Sequence, residues 1–363
     1  MGNPIDLKVV IAAGGTGGHL FPGIAVAQEF QHRHHATVTF LTTPKAVTTQ
    51  ILERYGFAWE PVAAGALKGE GIFSRTRTLL GMPAAILAAR ARLQSLKPHL
   101  VLGLGGHSSG PVGLAAWLLG IPLVLHEQNA IPGATNRYLA RLARKIFVSF
   151  PAGQDHFPPG RCLWTGNPIR PEFFEPGLPR AEAPFTVLIT GGSQGAHHLN
   201  MAVLAGLPML SALKDRLFFL HLPGEADREI VAAGYREHGF AAEVMGFTPE
   251  VAALMRRAHL VVCRAGASTL AELTAVGRAA ILVPYPYAAN NHQEFNARFL
   301  AAAGAGEVFL NKDFTEAAFA DKINQFLTEP ETLKKMEEAS RTLAKAPWQS
   351  PTRPKILSRA AWI

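Results

Sequence analysis

Short runs of consecutive apolar residues alternate along this chain with longer stretches whose apolar positions recur at helical spacing. KVVIAA, ATVTFL, LVLGLG, PLVLHE and KIFVSF are rich in Val, Ile, Leu and Phe and read as strands buried on both faces of a parallel sheet. FPGIAVAQEF, TRTLLGMPAAILAARARLQ and GATNRYLARLA carry the helical spacing between them. After residue 185 the alternation restarts with FTVLITGG, LFFLHLPG, EVMGF, HLVVCRAG and AAILVPYP. This rhythm predicts an α/β protein with parallel sheets. The two series are separated by GNPIRPEFFEPGLPRAEAPF, where Pro168, Pro171, Pro176, Pro179 and Pro184 can continue neither a helix nor a central strand. The expected organisation is an N-terminal domain over 1–168, a proline-rich linker over 169–184 and a C-terminal domain over 185–340. A basic tail over 341–363 is interrupted by Pro347, Pro351 and Pro354.

The two series also resemble each other. VVIAAGGTGGH at 9–19 and VLITGGSQGAH at 187–197 are each a strand running into a glycine-rich turn and a helix. Two Rossmann-like domains with a cleft between them are expected. Ligands of such sheets bind beyond the carboxyl ends of the strands.

Composition narrows the picture. With 363 residues, 48% hydrophobic and 17% charged, the chain is too long for one ordinary domain and too apolar to be disordered. Lys and Arg number 35 against 27 Asp and Glu, a net charge of +8 that favours an anionic partner: nucleic acid, anionic lipid or a phosphorylated substrate. No basic module interleaved with aromatics is present, so nucleic acid is not expected. Two cysteines, Cys162 and Cys263, cannot build a disulfide framework and read as reduced thiols. The first residues lack a basic leader and apolar core, so a cytosolic chain is expected. The uncharged stretch from Leu102 to Leu125 is broken by glycines and by Pro111 and Pro122, and reads as strand, loop, helix and strand rather than a membrane span.

Candidate chemistry lies where strands end. Gly14, Gly15, Thr16, Gly17, Gly18 and His19 follow the first strand and open a helix, which lets a ligand approach the backbone and favours an anion. A dinucleotide site is opposed by Leu20 at the last glycine position and by the lack of an acid ending VTFLTT. Ser193, in the second glycine loop, can donate to a phosphate or cap the helix. His126, Glu127, Gln128 and Asn129 are four polar residues at one strand end, where a carboxylate could orient a hydroxyl or act as a base. In the run Arg264 to Glu272, the glutamate could bind both ribose hydroxyls. Thr269 with Glu272 is also a capping-box spacing, which spacing alone favours. Asn290 to Glu294 offers amides that suit sugar hydroxyls, or a solvated loop. His32, His34 and His35 read as surface, and no metal-ligand spacing appears. Six basic residues over 68–97 (Lys68, Arg75, Arg77, Arg90, Arg92, Lys97) interleave with Ile72, Phe73, Leu79, Leu80, Met82, Ile86 and Leu87. That composition suits an anionic membrane surface or a core-facing amphipathic helix.

Together, GGTGGHLFPGIAVA, LGLGGHSSGPVGLAAWLLGIPLVLHEQNAIPGATNRYLA, GNPIR, ITGGSQGAHHLN and CRAGASTLAELTAVGRAAILVPYPYAANNHQEFNA resemble the MurG family, the peptidoglycan N-acetylglucosaminyltransferases of bacteria. The resemblance spans about residues 8–345. It implies a GT-B fold of two Rossmann-like domains. The implied reaction is inverting transfer of GlcNAc from UDP-GlcNAc to undecaprenyl-diphospho-N-acetylmuramoyl-pentapeptide (lipid I), giving lipid II. It implies that Glu272 binds the ribose at the end of the segment Ala267, Ser268, Thr269, Leu270 and Ala271, and that the backbone at Phe247 and Thr248 faces uracil. Ser193 and Arg170 would meet the diphosphate, Gln293 with Asn129 the sugar, and Thr16, Gly17 and Gly18 the acceptor diphosphate or the donor. The 68–97 segment with Trp117 would dock on the anionic inner leaflet, placing the protein peripherally on the cytoplasmic face of the inner membrane. Attack at an anomeric carbon needs a base for the acceptor hydroxyl, and His19 is the first candidate and Glu127 the second. Neither metal nor cofactor is expected. The sequence departs from the family at His107, at His292, at HLPGE and in its tail. Other readings are a transferase of the same fold with another glycolipid acceptor, a UDP-GlcNAc 2-epimerase, and a UDP-GlcNAc-binding membrane-surface protein without turnover.

Overall fold

The computed structural model describes residues 6–14, 17–62, 72–176, 180–192, 195–246 and 248–344, with the backbone alone for 72–80. Contacts divide the chain into two units that meet in sequence at Arg170 and Pro171.

The first unit opens with β1 (Lys8–Ala12), α1 (Gly17–His34), β2 (Thr37–Thr42), α2 (Ala46–Arg54) and β3 (Ala58–Pro61). It continues with α3 (Ile72–Leu96), β4 (Leu100–Gly103), α4 (Gly106–Leu118), β5 (Leu123–Glu127), α5 (Ala134–Leu139), β6 (Lys145–Val148) and β7 (Cys162–Trp164). Its seven strands lie in the order β3-β2-β1-β4-β5-β6-β7, and every pairing is parallel. Val9 sits opposite Val38 on one side and Leu100 on the other, so β1 is buried among apolar neighbours. That environment is why its sequence is continuously apolar rather than alternating.

The second unit comprises β8 (Phe185–Thr190), α6 (His197–Gly206), β9 (Leu217–Leu222), α7 (Arg228–Glu237), β10 (Ala241–Val244) and α8 (Val251–Arg257). There follow β11 (Leu260–Cys263), α9 (Ala267–Val276), β12 (Ala279–Leu282), α10 (His292–Ala302), β13 (Gly306–Val308), α11 (Glu316–Thr328) and α12 (Pro330–Leu343). Its six-stranded sheet is again all parallel, in the order β10-β9-β8-β11-β12-β13. The core joins Val187, Ile189, Phe219, Val262 and Ile281 of the sheet to Leu199, Phe319, Ile323 and Phe326 of the helices.

Both sheets reverse strand order at their first strand, between β1 and β4 and between β8 and β11. Beyond the carboxyl ends of strands at such a reversal, loops diverge to opposite faces and leave a crevice. The expectation of α/β units with parallel sheets holds in both halves. The strands the apolar pattern missed are β3, β7 and β13. All are edge strands of three or four residues, half-exposed, with no apolar run to mark them.

Three local readings change. Helix α5 is shorter than GATNRYLARLA predicts. The chain leaves the helix after Ala140, so that Arg144 N–H can donate to the Leu123 carbonyl at 2.8 Å and enter the sheet. The capping-box reading of Thr269 and Glu272 fails: Gly266 is the N-cap of α9, which places Thr269 inside the first turn. Arg341 is helical rather than part of a tail. It lies on α12, pairs with Glu337, and lays its aliphatic stem against Gly277 at the end of α9. Lys345 to Ile363 lie outside the described residues.

Candidate active site

In the first unit the residues in question gather where β1, β4 and β5 end. Backbones meet closely there. A β-carbon on Gly106, whose φ is 75°, would sit 2.8 Å from the Gly14 α-carbon. Only glycine permits both that conformation and that approach. The Ser109 hydroxyl locks the junction, lying 2.7 Å from the Ala12 carbonyl and 2.8 Å from that of Gly105. His19, in the first turn of α1, rests its ring against this glycine pair. Its Nδ1 lies 3.0 Å from Oε1 of Gln128. Gln128 Nε2 lies in turn 3.2 Å from Nδ1 of His126, whose Nε2 lies 3.2 Å from the Gly166 carbonyl. Burial pushes the His126 imidazole down to about 4, so it is neutral near pH 7.

Glu127 points into the adjoining loop. Its Oε1 accepts from the backbone N–H of Asn129 at 3.0 Å and from the Asn129 amide at 3.4 Å. Its Oε2 accepts from Gly133 N–H at 3.2 Å and from the Asn136 amide at 2.8 Å. Burial pushes the carboxyl upward, while these donors pull it down. Four N–H groups around one carboxylate fix the turn between β5 and α5, and with it the position of Asn129. Arg170 is buried elsewhere in the unit. It donates to the Tyr55 hydroxyl at 3.2 Å and lies 5.1 Å from the centre of the Phe21 ring. A diphosphate contact from Arg170 would come from a guanidinium already held by α1 and by the turn after α2. Gly17 and Gly18 open α1, with Gly18 exposed; Thr16 lies outside the described residues.

In the second unit the corresponding region is the ends of β8, β11 and β12. Helix α9 starts at Ala267, and Leu270 N–H is bonded to the Gly266 carbonyl at 3.0 Å. The backbone N–H groups before that bond, at Ala267, Ser268 and Thr269, occupy the turn in which helices lack internal acceptors. Such a turn favours an anion. Ala271 and Glu272 follow one turn on, both half-buried. Glu272 raises the buried Cys263 thiol, which burial chiefly holds up at about 12, so this thiol is inert at neutral pH. Gln293, at the start of α10, accepts from Tyr285 N–H at 2.9 Å through Oε1. That donor fixes the amide orientation and turns its NH2 away from Tyr285. Thr248 is half-buried, with its hydroxyl accepting from Glu250 N–H at 3.1 Å. Ser193 and Phe247 lie outside the described residues.

The loop carrying Gly195 is braced by groups that the sequence reading did not single out. Gly195 has a φ of 77°, and a β-carbon there would stand 2.0 Å from the Pro223 carbonyl oxygen. Asn200 donates to that same carbonyl at 3.0 Å and to Asp227 at 2.7 Å, and its Oδ1 faces Nε2 of His221 at 3.0 Å. The Tyr235 hydroxyl lies 3.0 Å from the other ring nitrogen of His221. Burial lowers His221 to about 3, so a neutral ring with both nitrogens bonded ties β9 to α6 and α7. Asn136 was missed as well, because a polar residue in TNRY looks like any solvated helix position. Among the described residues no three His, Cys, Asp or Glu side chains converge as a metal site requires.

Two Rossmann-like units, each with a polar cluster at its strand-order reversal, place the chain in the GT-B fold class. The N-terminal domain of glycosyltransferase family 28 matches residues 9–148, and the C-terminal domain of that family matches residues 186–349. A Myxococcus xanthus relative is 42% identical over 93% of this chain and 89% of its own length. A relative from an Anaeromyxobacter species is 44% identical over 92% of this chain and 88% of its own length. Both are named UDP-N-acetylglucosamine-N-acetylmuramyl-(pentapeptide) pyrophosphoryl-undecaprenol N-acetylglucosamine transferase. The crystal structure of MurG from Acinetobacter baumannii superposes with a TM-score of 0.75 at 32% identity, covering 93% of this chain and 96% of that one. The chain belongs to the MurG family of glycosyltransferases.

Proposed function

We infer that this enzyme transfers N-acetylglucosamine from UDP-N-acetylglucosamine to undecaprenyl-diphospho-N-acetylmuramoyl-pentapeptide, with inversion, in peptidoglycan synthesis. The observation that carries the reading is the 42% identity to transferases of that name over 93% of the chain. It spans the strand-order reversals of both sheets rather than one half of the fold.

The chemistry follows from the residues. The acceptor hydroxyl attacks the anomeric carbon through an oxocarbenium-like transition state. Its oxygen forms the new glycosidic bond, its proton passes to the base, and the bond to UDP breaks with the electron pair on the diphosphate. His19 is the base we propose, since a neutral imidazole accepts a proton near pH 7. The first-turn N–H groups of α9 at Ala267, Ser268 and Thr269, with Ser193, meet the diphosphate and offset the charge that develops on it. Glu272 takes the ribose hydroxyls, the backbone at Thr248 the uracil, and the Gln293 amide a sugar hydroxyl. The N-terminal unit takes the acceptor, with Thr16, Gly17 and Gly18 at its diphosphate and Asn129 at the sugar. Glu127 serves by holding Asn129 in place rather than by moving a proton.

An undecaprenyl acceptor keeps its chain in a bilayer. No helix among the described residues is long and apolar enough to cross one. We propose peripheral docking on the anionic cytoplasmic face of the inner membrane through the N-terminal unit. There Leu87 on α3 and Trp117 and Leu118 on α4 are 63%, 50% and 55% exposed, and Arg90 is exposed beside Leu87. Helix α3 packs along α4.

The test of the reaction is UDP release from UDP-N-acetylglucosamine with and without a soluble lipid I analogue. Acceptor-dependent release with a β-linked disaccharide product is expected. Release without acceptor, or binding without any release, overturns the reading.

A further inference from the structure

We propose that Gln128, backed by His126, is a positioning residue that holds His19 with its proton on Nδ1 and its lone pair on Nε2. The proposal deepens the reading of His19 as base and rests on it for its catalytic meaning.

The proton positions are set by groups that can only accept. The Gly166 carbonyl lies 3.2 Å from Nε2 of His126, so that nitrogen carries a proton and donates. His126 is fully buried and neutral, which leaves Nδ1 as an acceptor. Gln128 places its Nε2 3.2 Å from that Nδ1 and 3.3 Å from the His126 backbone carbonyl. Its two amide hydrogens satisfy both. Turning the amide over would set Oε1 against two acceptors, so the orientation is fixed by partners rather than by choice. Oε1 then faces Nδ1 of His19 at 3.0 Å and can only accept. His19 Nδ1 therefore donates, and the neutral ring carries its lone pair on Nε2.

The arrangement matters because a histidine side chain in water favours the opposite tautomer, with the proton on Nε2. A base that must first exchange its proton between nitrogens spends most of its time in the wrong form. Gln128 is only 2% exposed, and it sits on the strand end beside the glycine junction where His19 rests. The same logic governs histidines oriented by a third group in nucleophilic triads. A neutral amide in that position orients the ring without adding a negative charge that would hold the proton on it.

The experiment uses the full chain with histidine ring nitrogens labelled. In the wild-type protein above pH 8, the His19 nitrogen shifts, assigned by comparison with His19→Ala, should show a protonated Nδ1 and an unprotonated Nε2. An Nε2–H ring overturns the proposal outright. Gln128→Met keeps the volume but neither donates nor accepts. It should lower kcat by roughly 10²- to 10⁴-fold, the range that general-base assistance supplies. KM for UDP-N-acetylglucosamine should be unchanged. The double variant His19→Ala/Gln128→Met should be no slower than His19→Ala alone. A loss that adds to that of His19→Ala, or a kcat within about threefold of wild type, also overturns it. Normal turnover in His19→Ala together with an Nδ1–H wild-type ring sinks the base role alone and leaves the tautomer assignment standing. If Gln128→Met does not fold, the wild-type ring shifts still decide.

Discussion

Replacing Glu127 by Gln separates two roles that the sequence could not tell apart. A base needs an oxygen that can reach the substrate's proton; a clamp needs both oxygens for the protein. In the structure Oε1 accepts from Asn129 twice, and Oε2 accepts from Gly133 and Asn136. A glutamine fits the same space, but whichever way its amide turns, an NH2 group replaces one oxygen and faces two N–H donors. Two hydrogen bonds to a charged acceptor are lost, each worth roughly 1.5–3 kcal/mol; of the donors, Asn136 is buried, Asn129 half-buried and Gly133 exposed. Relaxation of the loop brings the cost to the lower end of the sum, about 3 kcal/mol. For a unit of this size each kcal/mol shifts Tm by about 2–4 °C, so the N-terminal transition should fall by roughly 6–12 °C in calorimetry. The KM for a soluble acceptor should rise as Asn129 loses its anchor, while UDP-N-acetylglucosamine affinity stays as in the wild type. A Glu127→Gln enzyme that melts within about 2 °C of wild type and has lost turnover would make Glu127 the base and refute the clamp.

Glu272→Ala should weaken UDP-N-acetylglucosamine by roughly 10- to 150-fold, the worth of about 1.5–3 kcal/mol in charge-assisted ribose hydrogen bonds, measured by calorimetric titration. Equal affinity in a folded variant removes Glu272 from the ribose. The chain should lose stability in acid because His221, with a folded pKa of about 3 against 6.5 when exposed, binds a proton only on unfolding. Its contribution is complete above pH 6.5 and drains away as pH falls through the folded value, at about 1.4 kcal/mol per pH unit. His221→Asn should flatten that slope in urea titrations followed by circular dichroism between pH 7 and 4, and an unchanged slope shows that the proton is taken elsewhere. The full chain should sediment with vesicles containing anionic lipid, and Trp117→Ser should reduce the bound fraction. Equal sedimentation of that variant moves the docking face off α4.

The framework of both units was legible because buried parallel strands announce themselves. KVVIAA, FTVLITGG and HLVVCRAG are apolar on both faces, and all three became central strands. What stayed hidden follows from two kinds of missing signal. Edge strands such as Cys162–Trp164 are short and face solvent on one side, so their residues carry no uniform pattern. Polar residues that serve other polar residues look solvated in sequence: Asn136 behind Glu127 and Asn200 behind His221 differ in no local way from surface amides. The capping-box reading of Thr269 shows the converse. Its spacing was correct and its register wrong, because Gly266 had already started the helix. Resemblance to a family supplied candidate site residues that no period or spacing could, and the structure adds which of them are held, and by what.

The two sheets follow one topological plan, yet their strand ends carry different chemistry, and the difference can be traced to what each must do. At β11 the chain offers a helix start, backbone N–H groups and one carboxylate. On the proposed reading that set meets an anion and a diol without taking or giving a proton. At β1 and β5 it offers two histidines, a buried amide and a clamped carboxylate. In that set the protons are assigned in a fixed order, beginning at the Gly166 carbonyl and ending on the His19 ring. Recognition of a leaving group tolerates solvent and small motions, because dipoles act over distance. Proton transfer does not, since it fails when the lone pair sits on the wrong nitrogen. Burial differs as well: behind the half-buried His19, the residues His126, Glu127 and Gln128 are each 2% exposed or less, whereas Ser268, Thr269 and Glu272 are half-buried. On the proposed reading, the more deeply buried residues are those that fix where the base carries its proton.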